Sequence, residues 1–303
     1  VGATFSGAAA LLGGGGSAIA LLMPDGIYAR EPEALLQASV AQDIANLFLV
    51  APLLLATSVL AFRGSLRACL SCLGLLGFTV YNYVIYTFSI HLGPLFLVWV
   101  AVLGLSVFAF AGVCAGLTRL DCNRLFSRVP TRFAGWYSIV VACLFMALWL
   151  SEIVPDIMAR RPSTSAAAWA LPTNPVHVLD LGLFLPALIA SGTLLLLRRP
   201  VGYLTAPAAL IFIGLTSVPI LLTPLVAQSM GADPGWSTVP PVAAILAGSI
   251  LALYRVLRGV NEPELITPSP PTISVPGDVV RSEVTGANPR ETATDAAPGR
   301  RTR

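Results

Sequence analysis

The chain has 303 residues, of which 56% are hydrophobic and 11% charged, whereas a water-soluble domain normally carries about a quarter charged residues. That composition excludes a soluble globular fold. All 18 basic residues are Arg and the formal net charge is only +3, so neither a nucleic-acid-binding patch nor a polybasic lipid anchor is present. The lack of Lys beside abundant Ala, Gly and Pro points to a GC-rich bacterial genome.

Hydrocarbon offers no hydrogen bonds, so a spanning backbone satisfies itself in a helix or a closed barrel. The apolar runs here are long and do not alternate, which selects helices over strands. The expected fold is therefore all-α: a polytopic transmembrane bundle of about eight spans. A span needs roughly 20 mostly apolar residues, and eight segments meet this: Phe5 to Met23, Ile44 to Phe62, Ala68 to Phe88, Leu95 to Leu117, Trp136 to Ile153, Val178 to Leu197, Tyr203 to Val226 and Pro240 to Leu257. Gly13 to Gly16 weaken the helix propensity of the first. No basic residue precedes that run and no small-x-small cleavage site follows it, so it reads as a retained helix, not a signal peptide. Its glycines lack the Lys and Ser/Thr of a phosphate-binding loop and suit close helix packing.

Arg concentrates in alternate loops: Arg63 and Arg67, then Arg119, Arg124, Arg128 and Arg132, then Arg198 and Arg199, then Arg255 and Arg258. The opposite loops hold Asp25, Glu31, Glu33, Asp43, Asp156 and Asp233, with Arg30, Arg160 and Arg161 as exceptions. By the positive-inside rule both termini face the cytoplasm of a cell membrane. Residues 1–260 form the membrane domain. Residues 261–303, rich in Pro, Thr, Ser and charge, read as a disordered cytoplasmic tail.

An internal duplication is expected. Pro24-Asp25-Gly26-Ile27-Tyr28-Ala29-Arg30-Glu31-Pro32 resembles Pro155-Asp156-Ile157-Met158-Ala159-Arg160-Arg161-Pro162 with one gap. Gln42 to Pro52 aligns without gaps on Val176 to Pro186, pairing Leu47 with Leu181, Leu49 with Leu183 and Pro52 with Pro186. The repeats would be residues 1–134 and 135–260, each of four spans, and an even number of spans makes them parallel.

Polar groups beside or within spans are costly, so their placement carries information. They gather toward one side: Asp43, Asn46, Asn82, His91, Glu152, Asp156, His177 and Asp180, a set that contains both His residues of the chain. The repeat alignment equates Asp43 with His177 and Asn46 with Asp180. His177 and Asp180, three apart, share a helix face, as do Asn82 with Tyr86 and Glu152 with Asp156, each four apart. A carboxylate that orients a His makes its other nitrogen a better metal ligand or base. His91, His177 and Asp180 are accordingly the candidate metal ligands, and the cofactor is left open. The bland account of the same residues is capping and interface chemistry. Asp43 and Asp180 would complement helix dipoles, Asn174 before Pro175 would be an N-cap, and Tyr81, Tyr83, Tyr86, Trp136 and Trp169 would form aromatic belts. Cys69 and Cys72 form a C-x-x-C within a span, with Cys114 and Cys122 near the same side; no His completes a zinc pattern, and packing between helices is the expected role.

Asn174-Pro175-Val176-His177-Val178-Leu179-Asp180-Leu181, with Tyr81-Asn82-Tyr83, resembles segments of uncharacterised bacterial multi-pass membrane proteins. The resemblance covers the membrane region and implies membrane location alone. Three functions follow as expectations. The first is a permease-like or ligand-sensing protein with an outward-facing polar vestibule for a small molecule or ion. The second is a metal-assisted hydrolase or transferase, with Glu152 as base, or a haem carrier using His91 and His177. The third is a non-catalytic membrane subunit that docks a partner through its tail.

Overall fold

The computed structural model describes residues 2–117 and 125–261. Among them, eight helices are long and apolar enough to cross a membrane: α1 (Gly2–Leu22), α2 (Glu33–Phe62), α3 (Leu66–Ser89), α4 (Phe96–Leu117), α5 (Thr131–Met158), α6 (Pro175–Leu196), α7 (Pro200–Ser229) and α8 (Trp236–Arg258). The protein is an all-α polytopic bundle. Its surface supports the membrane assignment. Phe48 is 72% exposed and Leu97 75% exposed, which water would penalise and lipid tails accept. The tail expected over residues 261–303, like Arg119, Cys122 and Arg124, lies outside the described residues, apart from Asn261 at its start.

Several helices outrun the apolar windows because polar residues continue the helical backbone. α2 begins at Glu33 and not at Ile44, which places Asp43 well inside the helix, beyond the first turn where a carboxylate complements the dipole. α6 begins as expected, with Asn174 accepting the Val176 N–H at 2.9 Å and Pro175 in the first turn. Both helices pass through a single π turn, Asn46–Val50 in α2 and Asp180–Phe184 in α6. The alignment equates these two positions. Each π turn is followed by a Pro, Pro52 or Pro186, whose ring would clash with the carbonyl four residues back in a regular helix. Widening the turn to an i→i−5 hydrogen bond moves that carbonyl aside.

The packing of the first four spans recurs in the last four. α1 packs on α2 and α4, and α3 on α2 and α4; α5 packs on α6 and α8, and α7 on α6 and α8. The two groups meet through α3 and α7, with α2 also on α7 and α6 on α3. At this junction a Cβ on Gly74 would lie 2.8 Å from Ala208 Cα and 2.8 Å from Ile211 Cβ, so only glycine lets α3 and α7 come this close. Gly13, Gly14 and Gly16 of α1 serve the same end, since a Cβ there would fall 2.8 Å from the Tyr83 hydroxyl, 3.0 Å from Ala51 Cβ and 3.3 Å from Val98 Cγ1, respectively. Cys72 is buried between Ser6 (3.6 Å) and Ser58 (3.9 Å) as a packing group.

Candidate binding cavity

A cavity of about 410 Å³ opens where α2 and α3 meet α5, α6 and α7. Its α5 wall is Val141, Phe145, Trp149 and Glu152, whose spacing of four, four and three keeps them on one helix face. At 1.5 Å per residue this wall extends about 16 Å along the helix, from the loop end well into the span. Phe78, Tyr81 and Asn82 of α3 face it, with Ala38 and Gln42 of α2 and Phe212, Thr216 and Thr223 of α7. Ser165, Ala168 and Trp169, from the short helix Thr164–Ala168 and the residue after it, form the roof. The interior end is shaped by an aromatic trio: Phe184 stacks on Phe212 at 4.6 Å between centroids, and Tyr81 meets them edge-on at 4.9 and 5.2 Å.

Four of the eight expected site residues line this space: Asn82, Glu152, His177 and Asp180. The imidazole of His177 is 5% exposed and packs on the Trp149 ring at 4.6 Å. Its Nε2 is buried with no hydrogen-bond partner among the described residues. The closest carboxylate atom is Glu152 Oε2, 3.8 Å away, which is too long for a hydrogen bond. Glu152 Oε1 accepts the Ser165 N–H at 3.1 Å, so this side chain supports the roof with one oxygen and faces His177 with the other. The expected His177–Asp180 pair does not form. Asp180 instead accepts the Trp149 indole N–H at 2.8 Å and interacts with the Tyr81 hydroxyl. The π turn that begins at Asp180 turns this carboxylate toward α3 and α5.

Asn46, the counterpart of Asp180 in the other π turn, stands behind the cavity wall. Its Oδ1 accepts from Gln42 Nε2 at 3.0 Å and from Asn82 Nδ2 at 3.2 Å. Asn46 thereby orients two amides that do line the space, while its own Nδ2 is buried without a partner among the described residues.

Asp43, Asp156 and His91 lie outside the cavity lining. Asp43 is 2% exposed and accepts the Tyr28 hydroxyl at 2.6 Å and the Tyr86 hydroxyl at 3.0 Å. It ties the loop after α1 to α2 and α3. Burial, and then the neighbouring Asp43 carboxylate, push the Tyr28 phenol well above its ordinary pKa, so it stays a neutral donor. Asp156 accepts from Arg161 and from the Thr164 backbone N–H at 2.9 Å, and it organises the turn that presents the roof. His91 is on the surface, where its Nδ1 and backbone N–H both engage the buried Glu31, at 3.2 and 2.9 Å.

The metal set of His91, His177 and Asp180 is therefore not assembled. His91 is bound to Glu31 in a loop pair, and Asp180 is turned toward Trp149. Among the described residues no three His, Cys, Asp or Glu side chains converge as a metal ion requires. The bis-His haem arrangement meets the same obstacle, because only one of the two imidazoles reaches the cavity. The aromatic-belt reading also changes: Tyr81, Tyr83 and Tyr86 are buried and hold internal contacts, whereas Trp136 is exposed and Trp169 roofs the cavity.

The principal groups missed from sequence were Trp149, Phe145 and Gln42. The face Phe145, Trp149 and Glu152 was legible as an i, i+4, i+7 stripe ending on a carboxylate, but the same pattern describes any lipid-facing helix. Compared with protein-family models, with curated proteins and with solved structures, the chain finds no match.

Proposed function

We propose that this is a permease-like or ligand-sensing membrane protein, and that the cavity between α2, α3, α5, α6 and α7 is its vestibule. One observation carries the reading: a space of about 410 Å³, within the range of small-molecule sites, has in its wall a buried imidazole nitrogen with no partner among the described residues. A buried polar atom left unpaired costs about 1–3 kcal/mol. A ligand reached by a slight turn of the imidazole would pair with His177 Nε2 and remove that cost, which favours binding. The aromatic walls supply apolar contact, and Gln42, Asn82, Glu152 and Thr223 supply the few convergent polar groups such sites use.

The setting supports the same reading. The cavity lies between two four-span groups whose pairings repeat, and we take these as two parallel copies of one unit. Transporters built on repeats bind their substrates at the repeat interface near the bilayer midplane. The roof belongs to the face that bears acidic loops, and the described Arg-bearing loops lie with the start of α1 and the end of α8 on the other. The positive-inside rule then makes the vestibule outward-facing and the termini cytoplasmic.

Ala38 lines the cavity without hydrogen-bonding any of its polar groups, so Ala38→Phe fills the space and spares them. A small-molecule library screened by thermal stabilisation of the purified protein should give compounds that stabilise wild type and leave Ala38→Phe unmoved. Hits that shift both proteins equally, or an absence of hits, would sink the reading. Flux of a confirmed ligand into proteoliposomes then separates permease from sensor.

A further inference from the structure

We infer that the vestibule selects an organic cation: a protonated amine attached to an apolar, aromatic-compatible body. The inference rests on the vestibule reading and names its ligand class. The first support is a charge count of the lining. Glu152 and Asp180 both face the cavity, and among the described residues no Arg lines it. The donors that reach these carboxylates are neutral, namely the Ser165 N–H on Glu152 and the Trp149 N–H and Tyr81 hydroxyl on Asp180. Among the described residues His177 is the one basic side chain in the wall, so whichever protonation state it adopts, two carboxylates outnumber it. Arg161, on the loop above, is held by Asp156. Carboxylates in a low-dielectric setting without a counter-charge are costly, and a cationic occupant supplies that charge.

The second support is the gap between Glu152 Oε2 and His177 Nε2. At 3.8 Å the two atoms do not bond each other and Nε2 is closed to solvent, yet a slight turn of the imidazole lets one donor nitrogen bridge them. Only a ligand with N–H or O–H protons uses that position, by donating to the carboxylate and to the lone pair of the unprotonated Nε2. An ammonium does both and meets the negative balance as well. An anionic headgroup would face two carboxylates with one imidazole to receive it.

The third support is the wall around this point. Trp149 lies against His177 at 4.6 Å, and Phe145 and Trp169 complete the lining on the same side. Aromatic faces attract cations by about 0.5–2 kcal/mol each, more where water is excluded, and they accommodate the apolar remainder. Cation recognition and apolar burial thus use the same surfaces.

Matched compounds test the class. Binding of radiolabelled 4-phenylbutylamine to the full chain in an uncharged maltoside detergent is followed by scintillation proximity, with 4-phenylbutanol and 4-phenylbutyrate as competitors. The amine is expected to bind saturably, with both competitors at least tenfold weaker. Glu152→Gln, whose amide oxygen still accepts from Ser165, should weaken the amine at least tenfold with an unchanged melting temperature. Equal binding of alcohol and amine, tighter binding of the carboxylate, an unaffected Glu152→Gln, or no saturable amine binding each overturns the proposal. Ala38→Phe separates the two levels. If the alcohol or carboxylate binds wild type and is lost in Ala38→Phe, the vestibule stands and its cation preference falls. If whatever binds is indifferent to Ala38→Phe, the vestibule reading falls as well.

Discussion

Asn46 and Asp180 hold equivalent places, each the first residue of a π turn that is followed by a proline two residues past its end. They use the place differently. Asn46 collects two amides, Gln42 and Asn82, behind the cavity wall, whereas Asp180 reaches across to Trp149. A shared backbone device thus carries two side chains with separate tasks, one orienting neighbours and the other lining the space. Trp149→Phe tests the second task. It removes the indole N–H from Asp180 and keeps most of the ring contact with His177. The expected cost is about 1–3 kcal/mol, the penalty for stranding a buried acceptor, read as a lower melting temperature in detergent. An unchanged melting temperature would mean that the remaining Tyr81 contact suffices.

The clamp of Tyr28, Tyr86 and Asp43 is a structural counterpart to the cavity. Tyr28→Phe and Asp43→Ala each remove the buried Tyr28–Asp43 hydrogen bond, with an expected loss of about 1–3 kcal/mol. Because both act on the same 2.6 Å contact, their effects should not add. A double-mutant cycle should give a coupling of about 1 kcal/mol, and additive losses would show that the two residues stabilise the loop independently.

Much of the fold was legible in the sequence, because a span is fixed by a run of about 20 apolar residues and nothing subtler. The helix ends were not. Glu33 to Asp43 continue α2 as helix, although their polarity removes them from any apolar window. That extension is what buries Asp43 and defeats the dipole reading. The site was half legible. Polar residues near one end of the spans were visible, but not which of them had partners within the fold. Glu31 takes His91, and Asp156 takes Arg161 and Thr164; these loop pairings depend on tertiary approach and leave no periodic trace. Glu152 and His177 come together only because α5 and α6 pack side by side.

Gly74 and Gly15 make a paired test of helix packing. A Cβ at Gly74 would press on the Ala208 backbone, whereas at Gly15 nothing lies within 4 Å. Gly74→Ala should destabilise by about 1–3 kcal/mol, the usual cost of overpacking. Gly15→Ala should be neutral or stabilising by up to about 1 kcal/mol, since alanine favours helix. Thermal unfolding of both variants checks this, and equal behaviour would remove the close α3–α7 contact from the account.

The roof of the vestibule depends on two carboxylates one helical turn apart, Glu152 on the Ser165 N–H and Asp156 on the Thr164 N–H. Asp156 lies outside the lining, so Asp156→Ala releases the roof and leaves the cavity chemistry in place. Amide hydrogen exchange should rise at least tenfold across residues 161–170 and stay unchanged in the spans, in keeping with local opening. Exchange that rises throughout α5 would instead make Asp156 a determinant of the helix itself.

Sidedness decides whether the vestibule can face outward at all. Asp233 and Arg198 lie in loops at opposite ends of α7, and both are predicted to tolerate cysteine because each lies outside the helix. In intact cells Asp233→Cys should react with a membrane-impermeant maleimide, and Arg198→Cys should react only after permeabilisation. The native cysteines supply the background, to be subtracted with unsubstituted protein. The opposite labelling pattern would invert the protein and turn the roof toward the cytoplasm. The cavity would keep its ligand class, because the carboxylates and aromatic walls are indifferent to orientation. Its ligand would then have to come from inside the cell, and the positive-inside reading of the Arg loops would fail.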